Sequence, residues 1–413
     1  MEAPAWALAL DPFTPILRAL PAVTGVASGV AHMRGMRGAM EDAFAACPVP
    51  GAPFLFLCVL DGHGGRGVAD YAAQQLLPCV LATREWAAAA AGGFEDSAAL
   101  RAALRGGFAA CDAAAHAALP GDRSGACALA ALVSPQRTIV ANCGDCRAVL
   151  VPSSSASSSA SPSRCAVLTA DHRPDAHAER ARLAPLAGAA AVGKSGYSLG
   201  LAVSRSLGDF RTKLDHARSA AGATPPLLPT AQQTLTSDPE VFIVEGGGGA
   251  EQLLLLACDG VWDVLSNEEA CEFIARDVVA AAGAAGAARA AAIAAQGSSS
   301  SGGSGGGDGG AATSAAAAAE EAASAAAALY LGGTAERLRT LVLARTAKAE
   351  GVTVRQLQSL KPGKGGRRNV HDDITAVILF VGGLPGVARF ASGVAGGADA
   401  GAGAGAGAGQ ELA

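Results

Sequence analysis

Long apolar runs are missing from this chain. The two strongest, Phe54–Leu60 and Leu253–Ala257, fall far short of the roughly 20 residues that cross a bilayer. Positive charge is also scarce: 31 Lys and Arg against 36 Asp and Glu leave a net charge of -5. That balance argues against nucleic acid or an anionic membrane as the main partner. Residues 1–30 hold one basic side chain, Arg18. The positive start of a signal peptide and the Arg/Ser richness of a transit peptide are therefore both absent. Aromatics make up only 4%, and much of the 50% hydrophobic fraction is alanine. The ten cysteines are scattered, with Cys58 and Cys258 inside apolar segments, which predicts reduced core thiols rather than a disulfide framework. Cys143-Gly-Asp-Cys146 is a CxxC without a second pair, poor grounds for zinc, and no helix start follows it as a redox motif would need. A soluble protein of the cytoplasm or nucleus, monomeric, is the expectation that remains.

What is present divides the chain into three parts. Residues 1–24 read as a poorly ordered lead-in, 25–381 as one domain, and 382–413, ending in a Gly-Ala repeat, as a disordered tail. Two low-complexity inserts interrupt the domain, a Ser-rich one at 152–163 and an Ala/Gly/Ser tract at 280–328. Phe54–Leu60 reads as a buried strand ending at Asp61-Gly-His-Gly-Gly65. A helix is expected over Arg66–Leu81, stopping near Pro78, and another over Ala98–Leu119. Thr138–Asn142 and Arg147–Val151 read as strands at hairpin spacing. Further strands are expected at Val167–Thr169, Val241–Val244, Leu253–Ala257 and Ile374–Val381, and helices over Asp171–Leu186 and Ala335–Ala349. Ser266 and Glu269 have capping-box spacing at another helix start.

Four of these apolar strands carry an aspartate at one end: Asp61, Asp145, Asp259 and Asp372. Glu41 and Asp42 are adjacent, and Asp263 follows Asp259 by four residues. A single strand-end aspartate is an ordinary turn residue or cap. Several gathered together repel one another unless cations neutralise them. Carboxylates, carbonyls and water select Mg²⁺ or Mn²⁺. Two such ions lower the pKa of a shared water, a nucleophile suited to a phosphate ester. Arg37 could offer a planar fork to two phosphate oxygens, and His63 could protonate the leaving alkoxide. The pattern points to a metal-dependent phosphoester hydrolase.

The residues that carry this chemistry resemble the PP2C (PPM) family of metal-dependent protein serine/threonine phosphatases. The resemblance rests on Arg37-x-x-Met40-Glu41-Asp42, Asp61-Gly-His-Gly-Gly65, Ser124-Gly and Asn142-Cys-Gly-Asp145-x-Arg147. It continues through Asp171-His172, Leu201-Ala-Val-Ser-Arg-Ser-Leu-Gly-Asp209, Asp238-Pro-Glu-Val, Leu256-Ala-Cys-Asp259-Gly-Val-Trp-Asp263 and Asp372-Asp373-Ile-Thr375. These blocks run in family order from about Gly25 to Val381.

The resemblance implies an α+β fold, an α-β-β-α sandwich of two packed antiparallel sheets flanked by helices. It implies that Asp61 bridges two Mg²⁺ or Mn²⁺ ions, that the Gly62 carbonyl binds one, and that Asp259 and Asp372 bind the other. Glu41 and Asp42 would lie in or next to the coordination shell, and Asp145 and Asp263 would help hold a weaker third ion. Arg37 would bind phosphate, His63 would be the general acid, and about 171–237 would include a flap bordering the site. Substrates would be phosphoserine and phosphothreonine proteins. Two departures stand out: Asp373 where many members have Asn, and Cys127 in Ser124-Gly125-Ala126-Cys127-Ala128 where the family carries Thr. The rival readings are a silent pseudophosphatase that only binds phosphoproteins, and a phosphatase of small phosphomonoesters.

Overall fold

The computed structural model describes residues 18–19, 26–35, 38–151, 165–187, 200–218, 225–245, 252–278, 333–359 and 372–381. Both inserts, the tail and Arg37 lie outside the described residues.

Parity along the strands decides the layers. In β4 (Leu55–His63), Leu55, Leu57 and Val59 enter one core while Phe56, Cys58 and Leu60 enter another. Successive side chains point to opposite faces, so a strand covered on both faces needs apolar residues at every position. Each such fully buried Leu or Phe contributes about 1.5–3 kcal/mol.

One antiparallel sheet has the order β3 (Ala43–Pro48), β4, β5 (Gly125–Val133), β6 (Arg137–Cys143), β10 (Glu240–Glu245), with β9 (Leu207–Gly208) added to β5. The other runs β1 (Arg18–Ala19), β2 (Val26–Met33), β12 (Ile374–Val381), β11 (Gln252–Ala257), β7 (Arg147–Val151), β8 (Ala166–Val167). The facing sides share a core that includes Leu57, Leu129, Leu256 and Val377. Helices α1 (Gly67–Leu81), α2 (Arg84–Ala91) and α3 (Ser97–Ala118) cover the back of the first sheet. The back of the second is covered by the short α5 (Asp259–Trp262) and by α6 (267–278) and α7 (333–349). Helix α4 (His177–Ala187) and α8 (Val354–Ser359) complete the set. The result is the expected α-β-β-α sandwich.

The expectations fail at four places. Arg18–Ala19, inside the supposed lead-in, pairs with Val30 and Gly29 and covers the outer edge of β2, whose backbone groups would otherwise lack partners. Strand β4 does not end at Leu60 but runs through Asp61 to His63, because β5 keeps pairing with it as far as Gly125. Helix α1, by contrast, keeps its expected end at Leu81: Pro78 lies in its last turn, where Ala82 N–H still donates to the Pro78 carbonyl at 3.0 Å. Strands β6 and β7 do not form a hairpin: they belong to different sheets, and the chain crosses between them at Gly144, whose φ of +133° disfavours other residues. Finally, Cys165 and Cys271 are joined as a disulfide with Cα atoms 6.1 Å apart, tying the approach to β8 to α6. The other eight cysteines are free thiols.

Other expectations hold in detail. The final strand has the expected bounds, and the capping box forms in both directions: Glu269 N–H donates to Ser266 Oγ at 3.1 Å, and Ser266 N–H to Glu269 Oε2 at 3.0 Å. No helix of the described residues is long and apolar enough to cross a membrane.

Candidate active site

Strand parity also aims the acidic side chains. Asp61 continues the series Leu55, Leu57, Val59 and so faces the gap between the sheets at its open end. Cys127 stands opposite Asp61 in register on β5 and has the parity of Leu129 and Ala131. Asp42, two residues before Phe44, and Asp373 and Thr375, in step with Val377, follow the same rule. Residues from both sheets thus meet at one edge of the sandwich.

Two sets of donor atoms lie within 4.8 Å of one another: Asp61 with Asp145 and Asp259, and Asp42 with Asp61 and Cys258. Asp61 belongs to both. Asp42 is fully buried, Asp145 nearly so, and Asp61 and Asp259 are half-buried. Burial, then the charges of Asp259, Asp42, Asp145 and Asp372, push the Asp61 carboxyl well above the ordinary carboxylate range. Asp42 is pushed up by burial and by Asp373, partly offset by Thr375. Asp259 is pushed up to about 8 by burial and by Asp145, Asp372 and Asp263. Like charges crowded into a desolvated edge explain all three directions.

The donor set fits hard divalent cations. Asp42 Oδ1 and Asp259 Oδ1 are buried and accept no hydrogen bond, leaving lone pairs for a ligand. Cys258 does not compete: its Sγ donates to the Asp373 carbonyl at 3.3 Å and accepts Thr375 N–H at 3.1 Å, and burial raises its pKa, keeping it a thiol.

The remaining expected residues are placed differently. Asp372 is half-buried beside the cluster without joining either tight set. Asp263 is exposed one turn beyond Asp259, its N–H donating to the Asp259 carbonyl at 2.8 Å. Glu41 Oε1 accepts Gly65 N–H at 2.8 Å and so braces the turn after β4. A Cβ on Gly62 would stand 2.1 Å from the Glu41 carbonyl oxygen, so only glycine lets these two segments close up. His63 Nε2 meets Asp209 Oδ2 at 2.8 Å.

Several supporting residues were not assigned roles from the sequence. Asp373 takes Gly35 N–H and Glu41 N–H, each at 2.8 Å, and thereby clamps the loop that carries Glu41 and Asp42. Thr375 Oγ1 donates to Asp42 Oδ2 at 2.6 Å, which leaves its oxygen to accept from His32 Nδ1 at 2.9 Å. His32 is buried, its pKa brought down to about 3 by desolvation and by Arg66, so it stays neutral with the proton on Nδ1. Cys127 hydrogen-bonds Asp145. Asp373, Thr375 and Cys127 all stood in recognisable blocks, but only the cross-strand register shows what each touches.

The architecture and site define a two-sheet sandwich with a carboxylate centre at one edge. The protein phosphatase 2C family model matches residues 26–301, and the chain belongs to that family. It is 33% identical to human protein phosphatase 1A over 262 residues, covering 60% of this chain and 61% of that protein. It is 37% identical to mouse probable protein phosphatase 1N over 256 residues, covering 61% and 56%. The chain thus spans about three fifths of the length of the curated relatives it matches. Among solved structures, the serine-threonine phosphatase 2C of Toxoplasma gondii superposes with a TM-score of 0.55 at 17% identity, over 90% of this chain and all of that one.

Proposed function

We propose that this chain is a metal-dependent phosphatase acting on phosphoserine and phosphothreonine in proteins, with Mg²⁺ or Mn²⁺ at the acidic edge. The observation that carries the reading is the convergence of Asp42, Asp61, Asp145 and Asp259, with two buried carboxylate oxygens lacking any hydrogen bond. Asp61 would serve two ions, together with the Gly62 carbonyl, Asp259 and Asp372; Asp145 and Asp263 would serve a weaker third. Bound there, the ions would neutralise the carboxylates and supply an acidified water for in-line attack on phosphorus.

The chain's own residues do the rest. Asp42 is held in place by Thr375, and Asp373 fixes the loop that precedes it. Arg37 would grip the phosphate oxygens through its planar fork. His63 would give a proton to the departing serine or threonine oxygen. Nothing in this scheme uses a cysteine or Ser124 as nucleophile; Ser124 Oγ instead donates to Asp122 at 2.5 Å and accepts Val68 N–H at 3.0 Å. The protein names borne by the relatives support phosphoproteins over small phosphomonoesters. A monomer in cytoplasm or nucleus completes the proposal.

The test is phosphate release from a phosphothreonine peptide with Mn²⁺, with Mg²⁺ and with a chelator. Release with either ion and none with chelator supports the proposal. No release under any condition points to the silent, binding-only relative.

A further inference from the structure

His63 is embedded in a set of contacts that the reaction scheme above does not use. Asp209 follows β9 with φ +51°, one of only two positive-φ non-glycine residues among those described. Side chains with a Cβ rarely adopt that backbone, and residues held there cluster at functional positions. Asp209 Oδ2 lies 2.8 Å from His63 Nε2 and also accepts Ser206 Oγ–H at 2.7 Å. The Asp209 N–H donates to the Ser124 carbonyl at 2.9 Å.

Gly125 lies between the two side chains. It pairs with His63 on one side and with Gly208 on the other. A Cβ at Gly125 would stand 2.1 Å from Asp209 Oδ2 and 2.4 Å from His63 Nε2. Any larger residue would push through the contact, so the glycine exists where the pair needs the space.

Behind Asp209 is a buried ion pair. Lys213 Nζ donates to Asp112 Oδ2 and to the Ser206 carbonyl, both at 2.8 Å, while Asp112 Oδ1 accepts Gly208 N–H at 2.7 Å. Lys213 and Asp112 have side-chain exposures of 0% and 1%. Breaking such a pair is costly, and this one grips the residues on both sides of Leu207, immediately before Asp209.

We propose that Asp209 is the positioning residue of His63: it commits Nε2–H, so that the proton handed to the leaving oxygen is the second one, carried by Nδ1 in the imidazolium, and the ring is left as the Nε2–H tautomer. A carboxylate can only accept, so the nitrogen that meets Asp209 carries a proton. Nδ1 has no hydrogen-bond partner among the described residues. Helix α3, through Asp112 and Lys213, fixes the segment from which Asp209 acts. The part that concerns the ester rests on the phosphatase reading; the Nε2 commitment does not.

The experiment uses the full chain with Mn²⁺ and the variants Asp209→Gly, His63→Gln and the double. Glycine keeps the left-handed backbone and deletes only the carboxylate. For a phosphoserine peptide, kcat of Asp209→Gly should fall by roughly 10- to 100-fold with KM nearly unchanged. For an aryl phosphate, whose leaving group needs no proton, the loss should stay below about threefold. In the His63→Gln background the second change should cost nothing further. Equal losses on both substrates, or additive losses in the double variant, would overturn the proposal. Nitrogen-15 spectra of the wild-type imidazole, assigned by the signal missing in His63→Gln, supply a readout that needs neither activity nor a folded Asp209 variant. A ring whose Nε2 keeps its proton whether Nδ1 is bare or protonated supports the proposal, and a ring with a bare Nε2 refutes it. An inactive wild type would defeat the phosphatase reading, and the imidazole signals would still decide whether Asp209 sets the ring.

Discussion

Two clusters of buried charge in this chain are built on opposite rules. At the sandwich edge Asp42, Asp61, Asp145 and Asp259 come together; burial raises all four pKa values, and repulsion from neighbouring carboxylates adds to it, from within the cluster for Asp61 and from Asp171 for Asp145. Around the segment after α4 the carboxylates are paired with cations. Glu179 binds Arg205 and Arg182 and accepts Ser204 Oγ–H at 2.7 Å, while Asp112 binds Lys213. Burial alone would raise Glu179, but the hydrogen bonds and charges of Arg205 and Arg182 bring it down to about 2. The chain supplies its own counter-charges where it needs a fixed loop. Among the described residues it sets Arg173 against Asp145 but no cation against Asp42, Asp61 or Asp259, where, by the reading above, a metal is to bind.

That contrast can be broken at several points. The largest effect is expected at the shared ligand. Asp61→Asn should cut Mn²⁺-dependent phosphate release by on the order of 10³-fold, measured on a phosphothreonine peptide. Near-normal turnover would disprove a metal role for Asp61.

The paired cluster should fail in stability rather than chemistry first. Lys213→Met strands Asp112 in the core and should cost about 3–5 kcal/mol in urea unfolding. Adding Asp112→Leu should restore part of that, since two apolar residues leave no buried charge behind.

The pH dependence should have two limbs. Asp259 titrates at about 8 in the folded protein against 3.8 ordinarily, so the folded state keeps a proton that the unfolded chain has released. Metal-free protein should therefore lose stability as pH rises from about 4 to about 8. Glu179 titrates at about 2 against 4.5, so its contribution is full above about 4.5 and is lost as pH falls toward 2. Thermal melts should show both limbs, and Mn²⁺ should raise the melting temperature more at pH 8 than at pH 5. Equal stabilisation at both would contradict the uncompensated edge.

Thr375→Val tests the support beneath the edge. Loss of the hydroxyl that fixes Asp42 should weaken Mn²⁺ binding about 10- to 100-fold, read by calorimetry. The smallest effect belongs to an exposed pair. Arg66→Ala removes the contact with Asp70 on α1, both side chains more than 40% exposed, and should shift stability by no more than about 0.5 kcal/mol.

Much of this was legible in the sequence because strand ends are. Apolar runs closing on Asp61, Asp145, Asp259 and Asp372 announce that strands deliver carboxylates to one place, and family order names the fold. What stayed hidden depends on contacts between distant segments. The spacing of β6 and β7 reads as a hairpin, yet the chain changes sheets at Gly144, which is how Asp145 reaches the side of Asp259. Asp209 stands in a recognisable block, but its partner His63 is 146 residues away. The Cys165–Cys271 link spans 106 residues and leaves no local trace. The exposed position of Asp263 follows from the short α5, which no periodicity of four residues can signal.

Calorimetric titration of the metal-free full chain with Mn²⁺ at pH 7.5 is the most direct test of the acidic edge as a metal centre. Wild type should take up two ions and release protons, because carboxyls held above their ordinary range must give them up on binding. Asp61→Asn should lose most of that uptake. An isotherm flat in the wild type, or unchanged by Asp61→Asn, would contradict it.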